Sequence, residues 1–159
     1  MMARIVETAN DELLVDFYRR HWLNMGIDES AVAPEWRAAA LEFIANARSG
    51  NSFAGFVAVE GDEPVGGACC HVVARAYPAF LAADAARIGY VWGVYVRPGR
   101  RGRGIGSALV GACVSRLVGI GCGRVLLHAG DRSRPLYQRL GFRPTDELAL
   151  DIDPEAPPQ

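Results

Sequence analysis

The sequence predicts an α/β fold: a mixed, mostly antiparallel sheet of about six to seven strands flanked by about four helices. Three observations predict it. Two early segments repeat apolar residues at three- and four-residue steps, the helical period. The middle of the chain alternates apolar, β-rich runs with glycine turn signals. Residues 88–129 then read as strand, helix, strand, a crossover that makes the two strands parallel.

Residues 3–8 form the first expected strand. Asn10 or Asp11 can cap the helix that follows, whose apolar face carries Leu14, Phe17, Tyr18, His21, Trp22 and Met25. Gly26 ends it. Pro34 suits the first turn of a second helix striped by Trp36, Ala40, Phe43, Ile44 and Ala47, and Gly50 stops it. Residues 53–60 and 65–74 are the arms of a hairpin turned at Gly61-Asp62. Residues 77–87 read as a short helical or irregular excursion. Ile88–Val96 is apolar on both faces, with Tyr90, Trp92 and Val94 expected on one and Val91 and Tyr95 on the other. A central, doubly covered strand has that pattern. Gly93 in its middle marks a bulge or a close backbone approach. Residues 107–120 form the next helix, 125–129 a strand, 132–140 a short helix closed by Gly141, and 142–152 one or two final strands.

Length and composition bound the function. A chain of 159 residues fits one domain, expected over 1–152, followed by a disordered, acidic, proline-rich tail at 153–159. Net charge is −1, which gives no general attraction to nucleic acid or to a membrane surface, so neither partner is expected. No leader and no membrane-length apolar run is visible. Cys69, Cys70, Cys113 and Cys122 contain no Cys-x-x-Cys pair and read as small buried residues in a reducing compartment, so the expected location is cytoplasmic. No His or Cys pair has ligand spacing, and no metal is expected.

The chemistry-bearing stretch is Arg97-Pro98-Gly99-Arg100-Arg101-Gly102-Arg103-Gly104-Ile105-Gly106-Ser107, between a buried strand and a helix. Glycines let backbone N–H groups approach a ligand, and a helix start adds free donors and partial positive charge. That combination suits phosphate or pyrophosphate. A dinucleotide fingerprint fails, because Ser107 or Leu109 stands at the third glycine and the later acidic residue is missing. A P-loop fails because the chain has no lysine. An RNA-binding Arg-Gly tract would be longer and disordered.

Arg101-x-x-Gly104-x-Gly106, after a strand ending Val94-Tyr95-Val96, resembles the acetyl-CoA signature of the GCN5-related N-acetyltransferases. Leu136-Tyr137-Gln138-Arg139-Leu140-Gly141-Phe142 is similar to that family's tyrosine-bearing helix and its Gly-Phe end, and the order of elements fits from Arg4 to about Asp151.

The resemblance implies an N-acetyltransferase that moves an acetyl group from acetyl-CoA to a small-molecule or peptide amine, on a sheet whose central parallel pair splays apart. It implies that Arg101, Gly102, Arg103, Gly104, Ile105, Gly106 and Ser107 hold the coenzyme pyrophosphate. It implies that Val94, Tyr95 and Val96 pair with the pantetheine arm, with an N–H near Gly93 polarising the thioester carbonyl. Tyr137 resembles the general acid: a phenol of pKa about 10 can protonate a thiolate whose thiol has a pKa of about 8.5. Ser133 or Asp131 would contact the coenzyme arm. Many relatives use an acid on the central strand as base, and Ile88–Val96 has none. His128 is then the candidate base, with His71 and Asp84 behind it and a water-mediated route open. Acceptor recognition would draw on His21, Trp22, Asp28, Glu29, Glu35 and Trp36, then Tyr77, Phe80 and Asp84. Carboxylates beside aromatics suit a cationic amine. A non-catalytic acyl-CoA-binding module of the same fold is the alternative. Dimers are common in the family, and no residue here fixes the oligomeric state.

Overall fold

The computed structural model describes residues 2–50, 52–73, 87–145 and 147. Five strands form one sheet in sequence order: β1 (Arg4–Thr8), β2 (Ala54–Glu60), β3 (Glu63–Val73), β4 (Ile88–Val96) and β5 (Arg124–Leu127). The first four are antiparallel neighbours, and β4 and β5 run parallel. Residues 142–145 form no strand, so the described sheet is smaller than expected. The expected excursion at 77–86, the rest of the final strands at 148–152 and the tail lie outside the described residues, as do Tyr77, Phe80 and Asp84.

Two helices cover one face, α1 (Asp11–Asn24) and α2 (Trp36–Ser49). Asn10 caps α1 by accepting the Leu13 N–H at 3.1 Å. Leu14, Val15 and Phe17 of α1 and Ile44 of α2 are buried with Phe53, Val57, Cys69 and Tyr95. Small residues of the sheet admit α1: a Cβ on Gly55 would lie 2.1 Å from Leu14, and one on Gly67 2.8 Å from Phe17. Arg48 at the end of α2 bonds Asp11 at 2.6 Å and the Thr8 carbonyl at 3.1 Å, tying both helices to β1.

The other face is covered by α3 (Ile105–Gly119), with Ile105, Leu109, Cys113 and Leu117 packed on Phe56, Val65, Cys70 and Val91. All four cysteines are buried free thiols, and Cys69 and Cys70 face opposite cores, as a strand's period requires. The short α4 (Arg134–Arg139) follows β5. Its Leu136 reaches the start of α3, where a Cβ on Gly106 would lie 3.2 Å from the Leu136 Cδ1.

One expectation about β4 is overturned. Trp92 and Tyr95 pack on the α1–α2 side, while Val91, Val94 and Val96 pack on the α3 side. Strict alternation had put Val94 with Trp92. The register explains the switch: Cys69 opposes Trp92 and Gly67 opposes Tyr95, so Gly93 and Val94 together face a single residue of β3. This β-bulge shifts the side-chain parity of everything after it. Gly93 takes φ +62°, a left-handed conformation that other residues adopt only at a cost.

Candidate active site

Two open features meet at the end of β4. The first is an incomplete ladder. β4 pairs with β5 only from Ile88 opposite Arg124 to Val91 opposite Leu127. From Trp92 to Val96 its β5-facing edge has no strand partner among the described residues. Unpaired strand groups in a protein interior want a hydrogen-bonding partner.

The second feature is the start of α3. Gly104 is its N-cap at φ +78° and offers no side chain to the helix. Ala108 donates the first helical bond, to the Gly104 carbonyl at 3.0 Å. The N–H groups of Ile105, Gly106 and Ser107 therefore have no protein acceptor among the described residues. Gly102 also has a left-handed backbone, φ +76°, which coils the loop so that these donors open outward. α3 was expected from Ser107. It begins two residues earlier because the left-handed glycine serves as the cap.

The arginines of this loop are less free than a run of positive charge suggests. Arg97 pairs with Glu63. Arg100 lies 2.8 Å from Glu60 and 3.8 Å from Glu63, and Arg103 lies 3.6 Å from Glu60. The turn end of the β2–β3 hairpin thus neutralises much of the cluster. Arg101 has no carboxylate partner among the described residues. Its Nε donates to the Val96 carbonyl at 2.9 Å, which fastens the loop to the end of β4.

Tyr137 is buried on α4, edge-to-face with Phe142 at 6.0 Å. Burial pushes its phenol above the ordinary value, and a hydrogen bond with Ser133 partly offsets this. Ser133 in turn donates its hydroxyl to the Gly130 carbonyl at 3.0 Å. Ser133 is thus joined to Tyr137, while Asp131 is exposed and turned toward Arg134 at 3.5 Å. His128 falls one residue past the end of β5. It is exposed and makes no hydrogen bond among the described residues. His128 and Tyr137 share the wall of an open groove of about 1310 Å³ along β5.

The expected acceptor side is rearranged. Asp28 accepts from its neighbour Ser30 at 2.8 Å, and Glu29 pairs with Arg19. Trp36 carries the protein's own cations, Arg37 at 5.0 Å and Arg19 at 5.8 Å from the ring centre. Trp22, expected in the core, is 41% exposed, as is Phe43 of α2 at 46%. An aromatic group stands there instead: Trp92 meets Tyr18 edge-on at 5.1 Å and Phe43 at 5.6 Å. The sequence puts His21 on the apolar face of its helix and among the acceptor contacts. Its Nδ1 lies 3.1 Å from the carbonyl oxygen of Val94, in the bulge. No periodicity distinguishes that histidine from the other residues of its helix face.

No group of three or more metal-binding side chains occurs among the described residues, and no described helix is long and apolar enough to cross a membrane.

A split sheet beside a glycine-capped helix start is an α/β arrangement that leaves strand-edge and helix-start backbone groups open. The chain belongs to the acetyltransferase (GNAT) family, whose model matches residues 11–142. It is similar to a glucosamine 6-phosphate N-acetyltransferase of Trypanosoma brucei brucei, at 35% identity over 66 residues. That match spans 41% of this chain and under half, 45%, of the relative's length. The structure is similar to a GCN5-related N-acetyltransferase of Ralstonia eutropha JMP134, with TM-score 0.79 and 27% identity over 94% of this chain and 97% of that one. It also shares its fold with a predicted acetyltransferase of Clostridium acetobutylicum solved with acetyl-CoA, with TM-score 0.81 and 23% identity over 96% of each chain.

Proposed function

We propose that the protein transfers an acetyl group from acetyl-CoA to a primary amine of a small molecule or peptide, by direct attack with both substrates bound. The observation that carries this reading is backbone left without a ladder or helical partner, among the described residues, at two neighbouring places. One is the N–H groups of Ile105, Gly106 and Ser107, and the other is the β5-facing edge of β4 past Val91. Helix-start donors fit a pyrophosphate. An unpaired strand edge fits an amide-bearing arm that hydrogen bonds as a strand does. The donor set therefore matches the two ends of a coenzyme A molecule. When bound, acetyl-CoA supplies the activated acyl carbon and a thiolate leaving group.

The chain's own residues divide the remaining work. Arg101 holds the loop to Val96 and so keeps the phosphate donors aligned with the strand edge. The bulge at Gly93 turns backbone groups out of the ladder, where an N–H can stabilise negative charge developing on the acyl oxygen. Tyr137, a phenol protonated at neutral pH and held more firmly so by its burial, donates the proton that the departing sulfur requires, and Ser133 orients the phenol. The acceptor approaches from the α1–α2 side, where the rings of Tyr18, Trp92 and Phe43 meet and Glu29 is paired with Arg19. Amino-sugar phosphates belong in the acceptor screen because of the relative's name.

Calorimetric titration of acetyl-CoA tests the reading. The parent protein is expected to bind. Gly104→Asp puts a carboxylate against the phosphate donors and is expected to weaken binding by about 100-fold, the scale of an uncompensated like charge in a contact. A folded parent that does not bind acetyl-CoA would refute the reading.

A further inference from the structure

We infer that His21 is the general base of the acetyl transfer, taking the proton that the acceptor ammonium loses before attack; the inference rests on the reaction proposed above. Hydrogen-bond chemistry fixes the tautomer. A carbonyl oxygen only accepts, so the Nδ1 that lies 3.1 Å from the Val94 oxygen must carry the proton. The lone pair of neutral His21 is then on Nε2, and that nitrogen has no partner among the described residues.

The position is as specific as the tautomer. Val94 lies in the bulge and has no register partner on β3. One turn before His21, Tyr18 packs at the bulge, 3.4 Å from where a Gly93 Cβ would stand. One turn after it, Met25 lies 3.1 Å from where a Gly130 Cβ would stand, in the loop beyond β5. The C-terminal half of α1 therefore runs from the β4 bulge to the loop that follows β5, near where the two strands part, and His21 is on that span. Trp22 packs edge-on against the imidazole at 5.6 Å and limits its rotation.

The other two histidines are less suited. His71 accepts from the Trp92 Nε1–H at 3.1 Å, so its Nδ1 lone pair is used and its Nε2 carries the proton. His128 is exposed and no hydrogen bond orients it. Burial and the Val94 carbonyl alone set the His21 ring apart from a free imidazole, and no charged side chain among the described residues contributes. Burial lowers the His21 pKa, and the Val94 hydrogen bond partly opposes this. The imidazole is thus neutral and able to accept at neutral pH.

The step balances. The acceptor ammonium gives one proton to His21 Nε2, and the lone pair so freed forms the N–C bond; the nitrogen loses its second proton to solvent as it becomes the amide. The C–S bond breaks with its electron pair on sulfur, and sulfur takes one proton from Tyr137. His21 releases its proton to solvent, and the tyrosinate recovers one.

The test has two independent readouts. Side-chain ¹⁵N NMR of the ligand-free protein is expected to show His21 as the Nδ1–H tautomer, titrating below the ordinary histidine range. His21→Asn keeps an N–H donor near the Nδ1 position for Val94 but removes the base. With acetyl-CoA and a panel containing glucosamine 6-phosphate and spermidine, thiol release by this variant is expected to fall about 100-fold in kcat/KM at pH 7, the usual scale for losing a general base. Its rate should recover as pH rises and the amine deprotonates unaided, and its Kd for acetyl-CoA should stay within about twofold of the parent. An Nε2–H tautomer, or a His21→Asn variant with the parent's rate and pH profile, would overturn the role of His21 alone. Absence of acetyl-CoA binding or of thiol release by the parent would overturn the role together with the proposed reaction.

Discussion

The two halves of β4 are built from the same kind of sequence and do opposite things. From Ile88 to Val91 the strand is paired on both edges, and Ile88, Gly89 and Val91 are buried between α3 and the aromatic side. From Trp92 to Val96 it is paired on one edge, bulged at Gly93 and only partly buried except at Tyr95. The closed half holds the sheet together. The open half keeps backbone donors and acceptors in reserve. On the proposed reading, stability and coenzyme binding are separated along one strand, and substitutions in the two halves should report on different properties.

The sharpest contrast is expected from Tyr137→Phe. The ring stays in its buried place, so Tm should change little. Steady-state kcat should fall about 100-fold or more if the phenol is the proton donor to sulfur. Binding of acetyl-CoA should be unaltered by calorimetry. An equal loss of kcat and stability would break the separation.

Next comes a glycine in the closed half. A Cβ on Gly89 would stand 2.6 Å from the Leu117 Cδ1, and Leu117 is fully buried. Gly89→Ala should therefore destabilise by about 2 kcal/mol through overpacking, seen in denaturant unfolding. The acetyl-CoA affinity of the folded fraction should not move. Gly93→Ala, in the open half, meets only the Tyr18 ring, at an ordinary contact distance of 3.4 Å, but must hold φ +62°. Its stability loss should be about 1 kcal/mol, the cost of a left-handed alanine. Its turnover should fall by a larger factor than its stability implies, because the bulge is displaced.

The smallest effect is on pH dependence of stability. His21 and His71 both have pKa values lowered by burial. The unfolded chain then binds protons more readily than the folded one below the ordinary histidine value of about 6.5. Stability is complete above that pH and declines as pH falls through it toward the lower folded values. Tm should drop between pH 7.5 and 5.5, and the drop should be shallower in a His21→Asn/His71→Gln variant.

Much of this was legible in sequence. The glycines of the loop marked a helix start with free N–H groups, and Gly93 marked the bulge. Leu136 to Phe142 identified the tyrosine helix. What escaped is physical in origin. Glu60 and Glu63 neutralise the loop arginines from a hairpin some forty residues away in sequence, a contact that spacing does not encode. The bulge reverses face parity for Val94 and Tyr95, so alternation counted across it fails. His21 was hidden because it shares the period of its packed helix face, and only the Val94 contact sets it apart. Trp22 and Trp36 obeyed the period of core residues but lie partly open to solvent or beneath arginines.

The central claim is that the open half of β4 and the start of α3 together receive acetyl-CoA. Amide hydrogen exchange with and without acetyl-CoA tests it most directly. The account predicts new protection at Val94, Tyr95, Val96, Ile105, Gly106 and Ser107, with Ile88 to Val91 unchanged. Protection confined to the groove along β5, or absent from both regions in a protein that binds the coenzyme, would contradict it.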